Sequence, residues 1–259
     1  MISTRLGILG ALALLPAFAQ VSEKVAPRQL GQIRDKVDHL DGTSDSSNWS
    51  GYAVLGTTFT SAEASWTVPA AVCTGVRGDE YAAFWVGLDG YSSSTVEQTG
   101  TLSDCSGRDP VYYAWYEFYP NPMYEITSVP ISPGNVISAS VTYSGSEFTV
   151  TVKNVSTGKS YTKTAKVSGA ARSSAEWITE APCCTNSGGI LPLADFGTVD
   201  FGKDYTSVAG TNYANGGTIA SFGSNVQQIT KVGSSSSPQT STCSALSSDG
   251  TSFTCTWAQ

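Results

Sequence analysis

Histidine is almost missing from this sequence: its 259 residues contain one, His39. That residue lies in an N-terminal stretch unlike the rest, so the remainder of the chain has no imidazole at all. Ser-His-Asp and Cys-His catalysis are thereby excluded, and so is nearly all zinc chemistry. Bases are scarce too, with 14 Lys and Arg against 21 Asp and Glu and a net charge of −7. Such a chain offers no basic face to nucleic acid or to anionic lipid. No apolar run is long enough to span a membrane. Any hydrolytic chemistry must rest on carboxylates, amides, hydroxyls and backbone groups, with neither cofactor nor metal.

The start of the chain reads as a secretory signal over residues 1–19. Arg5 gives the positive region, Leu6 to Leu15 the apolar core, and Ala17-Phe18-Ala19 a small-x-small cleavage site. Residues 20–45 mix Lys24, Arg28, Arg34, Lys36 and His39 with acids and carry almost no aromatic side chains. They read as a prosegment, helical in part over VAPRQLGQIRDKVDHL. Export places the six cysteines in an oxidising compartment, where pairing is expected. Cys243 and Cys255 flank an Asp249-Gly250 turn and make the most credible pair. The partners of Cys73, Cys105, Cys183 and Cys184 stay open among fifteen possible connectivities. Asn48-Trp49-Ser50 and Asn154-Val155-Ser156 are possible N-glycan acceptors.

Residues 46–259 form one domain, long enough for a sizeable core. Strand follows strand: GYAVLG, EASWTVP, YAAFWVGLDG, VYYAWYEFYP, NVISASVTYSG, EFTVTVKNV, SYTKTAKV, SAEWITEA, QQITKVG and SFTCTWA. These runs are rich in β-branched and aromatic residues and are separated by Gly, Ser, Asn and Pro turns. An all-β, two-sheet antiparallel sandwich follows, with a concave face able to take a glycan or a peptide; the strand pattern says nothing of oligomeric state, for which a monomer is the expectation. Period two assigns the faces. Tyr113, Trp115, Glu117 and Tyr119 share one side, opposite Ala114, Tyr116 and Phe118. Gln98 shares a side with Val96 and opposes Glu97. Glu176, Ile178 and Glu180 share a side, opposite Trp177 and Thr179. Taken singly, each polar residue also suits a solvated surface.

The aspartic peptidase reading fails, because neither Asp-Thr-Gly nor Asp-Ser-Gly occurs. Gly-Thr-Ser at 42–44 and 250–252 is shared with serine-carboxyl peptidases, but the chain is too short and too β-rich for that fold. An ordered set of segments runs through the domain: SNWSGYAV (47–54), SWTVP (65–69), FWVGLDG (84–90), EQTG (97–100), YAWYEFYP (113–120), NVSTGK (154–159), AEWITE (175–180) and the closing CSALSSDGTSFTCTW. Through these the chain resembles the glutamic peptidases, the eqolisin group of secreted fungal acid proteases, over residues 46–259. The resemblance implies two packed antiparallel sheets of concanavalin-like jelly-roll type with the active site on a concave face. It implies a catalytic pair at Gln98 and Glu180, with Trp49, Trp85, Asp89 and Glu117 supporting the substrate groove.

Such a pair makes chemical sense without histidine. A Glu carboxylate can take a proton from a water held between it and an amide. The amide offers a carbonyl to orient that water and an NH₂ to meet the developing oxyanion. The implied function is acid endopeptidase action on protein and peptide substrates. Two rivals remain at this level. A glycan-binding sandwich would show aromatics and acids on a concave face without needing Gln98 and Glu180 together. A glycoside hydrolase would use two carboxylates, for which Glu117 and Glu180 are available.

Overall fold

The computed structural model describes residues 43–73, 78–183, 189–202 and 212–259, together with the short pieces 23–25 and 38–40; residues 23–25, 38–40, 43 and 44 are described as backbone alone. The signal stretch, residues 26–37 and Cys184 fall outside the described residues. The strands in chain order are β1 (Glu23–Val25), β2 (Asp38–Leu40), β3 (Thr43–Ser46), β4 (Trp49–Leu55), β5 (Ser61–Thr67), β6 (Glu80–Leu88), β7 (Val96–Cys105) and β8 (Val111–Tyr119). They continue as β9 (Tyr124–Pro130), β10 (Val136–Ser144), β11 (Glu147–Asn154), β12 (Lys159–Ala165), β13 (Ser174–Glu180) and β14 (Thr198–Phe201). The last are β15 (Tyr213–Ala214), β16 (Gly217–Thr218), β17 (Val226–Lys231), β18 (Thr240–Cys243) and β19 (Phe253–Ala258). Every segment read as a strand from its alternation forms one.

Between the named strands, pairing is antiparallel except for β3 and β17, which run parallel. One layer has the order β9–β8–β7–β6–β13–β4–β17. The other has the order β18–β19–β14–β5–β10–β11–β12. A β17–β18 bond joins the two layers, so the expected pair of sheets is a single sheet folded over itself. At the far end rings close the gap: Tyr116 of β8 stacks on Tyr124 of β9 and on Tyr161 of β12.

The main core fills the space between the layers, with Trp66, Phe84, Trp177, Phe196, Phe201 and Phe253 among its largest side chains. Their polar atoms find partners across the interior. Trp66 Nε1 donates to Thr101 Oγ1 at 2.9 Å, and Trp177 Nε1 donates to the Glu63 carbonyl at 2.7 Å. A second apolar cluster lies on the outer face of the first layer, and it gathers Trp49, Trp85, Trp115, Tyr113, Tyr119 and Ile178. The face assignments made from period two hold in all three strands that carry candidate polar residues. Gly100 makes the second face possible, because a Cβ there would lie 2.0 Å from the Phe84 carbonyl and 2.7 Å from Trp85 Cβ.

The described pieces of the N-terminal segment are strands, with β1 along β9 and β2 paired with β3, while most of the stretch read as partly helical, residues 26–37, lies outside the described residues. One sequence expectation is revised. The two sequon asparagines are internal. Asn48 Nδ2 donates to Glu180 Oε1, while Asn154 Nδ2 donates to the Pro130 carbonyl and to Asn135 Oδ1, both at 2.8 Å. Neither amide is available on the folded surface, because a short sequence pattern carries no information about burial. Cys243–Cys255 is bonded as expected, Cys73 is joined to Cys105, and Cys183 is also in a disulfide.

Candidate active site

The outer face of the first layer concentrates buried polar groups where an antiparallel sheet would ordinarily meet water. In one row across the strands, Glu117 pairs with Gln98, Gln98 with Gly87, and Gly87 with Glu176. The next row on this face contains Trp115, Gly100, Trp85 and Ile178. The row beyond it places Glu180 between Ala83 and Trp49. Trp85 therefore stands between the Gln98 row and the Glu180 row.

Gln98, Glu117 and Glu180 are 2%, 4% and 5% exposed, so each is buried yet borders a surface. Gln98 Nε2 donates to Glu117 Oε2 at 2.7 Å. Gln98 Oε1 and Glu117 Oε1 have no partner among the described residues. Glu180 is held from both sides: Trp85 Nε1 donates to its Oε2 at 2.8 Å, and Asn48 Nδ2 to its Oε1 at 3.4 Å. Trp49 packs its ring edge-on against Trp85 with centroids 5.0 Å apart. Its Nε1 comes near enough to favour the charged Glu180 carboxylate but makes no hydrogen bond, and Trp115 Nε1 is likewise without a partner. Buried polar groups are nearly always satisfied, so several open donors and acceptors on one face mark a place built to receive something else.

Burial dominates the acid–base behaviour of this face. It pushes Glu180 from 4.5 up to about 8, against the opposing pull of Trp85, Asn48 and Trp49. Burial also pushes Glu117 to about 8; the Gln98 hydrogen bond opposes the rise and the Glu180 charge adds to it. That coupling ties the two carboxyls to one site.

Asp89 is placed differently from the other expected groove residues. It is fully buried in a left-handed turn (φ 68°), and its carboxylate accepts from the Arg172 and Ser173 backbone N–H groups at 2.7 and 2.9 Å. Its hydrogen bonds fasten the loop that leads into β13. Two acids went unassigned in the sequence reading: Glu97 and Glu176 are fully buried, and neither carboxyl makes a hydrogen bond of good geometry. Burial raises both, and the Asp89 charge raises both further. The sequence also gave no sign of Asn48 as a partner of Glu180, since the two are 132 residues apart. Among the described residues no group of three or more His, Cys, Asp or Glu is arranged to hold a metal ion.

The model of the Peptidase A4 family matches residues 47–250. Aspergillopepsin-2 of Aspergillus niger is 33% identical over 221 residues, which cover 75% of each chain. Scytalidopepsin B of Scytalidium lignicola is 36% identical over 161 residues, 58% of this chain and 59% of that one. Among solved structures, a scytalido-glutamic peptidase with a transition state analog inhibitor superposes with a TM-score of 0.66 at 28% identity, covering 82% of this chain and 98% of that chain. Aspergilloglutamic peptidase from Aspergillus niger superposes with a TM-score of 0.53 at 29% identity, covering 69% and 99%. With the match spanning nearly all of the domain, this chain belongs to the Peptidase A4 family, the eqolisins, and is a glutamic peptidase.

Proposed function

We propose that this peptidase is an endopeptidase that hydrolyses peptide bonds of proteins in acid, with Glu180 and Gln98 as its catalytic pair. The observation that carries this reading is the state of the two side chains on one buried face. Glu180 is fixed by N–H donors, while Gln98 is anchored through one N–H to Glu117 and keeps its carbonyl oxygen and a second N–H free. In its ionised form, which the Trp85 and Asn48 N–H donors favour against the rise that burial causes, Glu180 takes a proton from a water that Gln98 Oε1 orients, and the water oxygen bonds to the substrate carbonyl carbon. The free Gln98 N–H donates to the oxyanion that forms. Protonated Glu180 then gives its proton to the amide nitrogen as the C–N bond breaks. Every proton is accounted for by one carboxyl group. Trp49 and Trp85 wall the site, and Glu117 fixes the rotamer of Gln98.

The chain is made, on this reading, with a signal over residues 1–19 and an inhibitory prosegment over 20–45, and it acts as a monomer outside the cell. The disulfides suit that compartment. The described ends of the prosegment add strands beside β9 and β17, at opposite sides of the layer that carries the site. The segment carries Lys24, Arg28, Arg34 and Lys36, which suits it to an acidic groove. Cleavage falls at or before the exposed Asp45, because Ser46 is buried and its carbonyl accepts from Val232 N.

Digestion of a denatured protein substrate at acid pH is the decisive test. Peptide fragments from the wild type and none from Glu180→Gln are expected. Release of sugars instead of peptides would favour the glycoside hydrolase reading, and no turnover of either substrate would favour a binding module.

A further inference from the structure

Asn48 immediately precedes β4, and its contacts decide which of its side-chain atoms faces Glu180. Ser46 Oγ accepts from the Asn48 and Trp49 backbone N–H groups at 3.3 and 3.0 Å. A hydroxyl has one proton, and here it goes to Asn48 Oδ1 at 2.9 Å. The Asn48 carbonyl oxygen is thereby occupied, and the NH₂ is the end that must point at Glu180 Oε1. The main chain is clamped on both sides of this contact. Ala181 N donates to the Asn48 carbonyl at 2.9 Å, and Val232 N donates to the Ser46 carbonyl at 2.8 Å. Both Ser46 and Asn48 are buried, so this donor is held in place without a competing solvent contact.

We propose that Asn48, oriented by Ser46, is a positioning residue for Glu180: its NH₂ favours the ionised carboxylate and so lowers the pH at which the enzyme loses its base. The proposal rests on the reading of Glu180 as that base. The neighbouring elements leave Asn48 and Trp85 as the two donors bonded to this carboxylate. From β6 come Ala83 and Trp85, and from β4 comes Trp49, none of them ionisable. From β8 comes the acid Glu117, whose charge opposes that of Glu180. Lys231 at the end of β17 is fully buried, but its ammonium is occupied by the carbonyls of Val232, Ser237 and Gln239.

The test compares Asn48→Ala, Asn48→Asp and Ser46→Ala with Ser46→Thr as the conservative variant. It follows kcat/KM across the acid range, the thermal melt, and the infrared carboxyl titration of Glu180, identified by difference from Glu180→Gln. In Asn48→Ala the acid limb of kcat/KM and the Glu180 titration should both move up by about one pH unit, roughly tenfold in rate on the acid side, with KM unchanged. Asn48→Asp, nearly isosteric and still able to accept from Ser46, should move both at least as far because it replaces a donor with an acid. Ser46→Ala should give a smaller shift, and Ser46→Thr should restore the wild-type profile. A lower melting temperature with both pH curves unmoved would reduce Asn48 to a structural residue and overturn the proposal. A shifted titration with an unmoved acid limb would overturn its role in the reaction. Turnover by Glu180→Gln would instead remove the reading on which the proposal rests, whatever Asn48 does.

Discussion

Strands β10, β11 and β12 of the second layer and strands β6, β7 and β13 of the first treat polarity in opposite ways. On β10, Ile137, Ala139 and Val141 are buried while Ser138 and Thr142 are exposed. On β11, Phe148, Val150 and Val152 face the core, and the threonines between them pair outward with β12 through Thr149–Thr164 and Thr151–Thr162 hydroxyl contacts of 2.9 and 3.1 Å. This is a one-sided sheet, with polar groups where water satisfies them. Strands β6, β7 and β13 are buried on both faces, yet they hold Glu97, Gln98, Glu176 and Glu180. Burying such groups opposes folding unless they are paired. Their presence shows that stability alone did not choose the first layer, and departures of this kind concentrate at functional sites.

The contrast can be broken most sharply at Glu180. Glu180→Gln should retain the fold and lose peptidase activity by at least about a thousandfold, the scale of removing a central catalytic group. Near-normal digestion by the purified variant would place the base elsewhere. Gln98→Ala should lower kcat by on the order of 10²–10³, since it removes the oxyanion donor and the water anchor together. Gln98→Glu should fail as well, because an ionised carboxylate has no proton to donate.

The buried acids also set the response of the fold to pH. Burial raises Glu97, Glu117 and Glu180 from 4.5 to about 8, and Glu176 rises with them. The folded state thus binds these protons more tightly than the unfolded chain. Their contribution to stability is complete below about 4.5 and is lost as pH climbs through about 8. Thermal melts should fall steadily across that window, and Glu97→Gln or Glu176→Gln should flatten the fall. A melting temperature independent of pH there would contradict the burial of these groups. The smallest effect belongs to the second layer: Ser138→Ala, on the exposed side of β10, should change stability by within about 0.5 kcal/mol at any pH, as an exposed substitution does.

What the sequence revealed, and what it hid, follow the same division. Alternation along YAWYEFYP, STVEQTG and SAEWITEA correctly separated the faces, because period two survives even where both faces are buried. It could not tell a buried Glu176 from a solvated one, since burial depends on which distant strands cover the face. Short polar strands such as β14 to β16 carried too few residues for a periodic signal. Gln98 and Glu180 were linked through family likeness, as spacing gives no reason to join residues on strands separated by β6. Asn48 was misread for a related reason: a three-residue pattern suggested a glycan, while its partner Glu180 lies on another strand.

The bond between β17 and β18 has one more consequence, for survival. The β17–β18 pairing and the shared core tie the two layers together, so opening one disturbs the other. Cleavage of a native chain by a protease tracks the population of its opened forms when opening and closing are fast. A peptidase surrounded by copies of itself is exposed to that hazard throughout its working life. Layers tied together in this way give those copies few partly opened chains to cut.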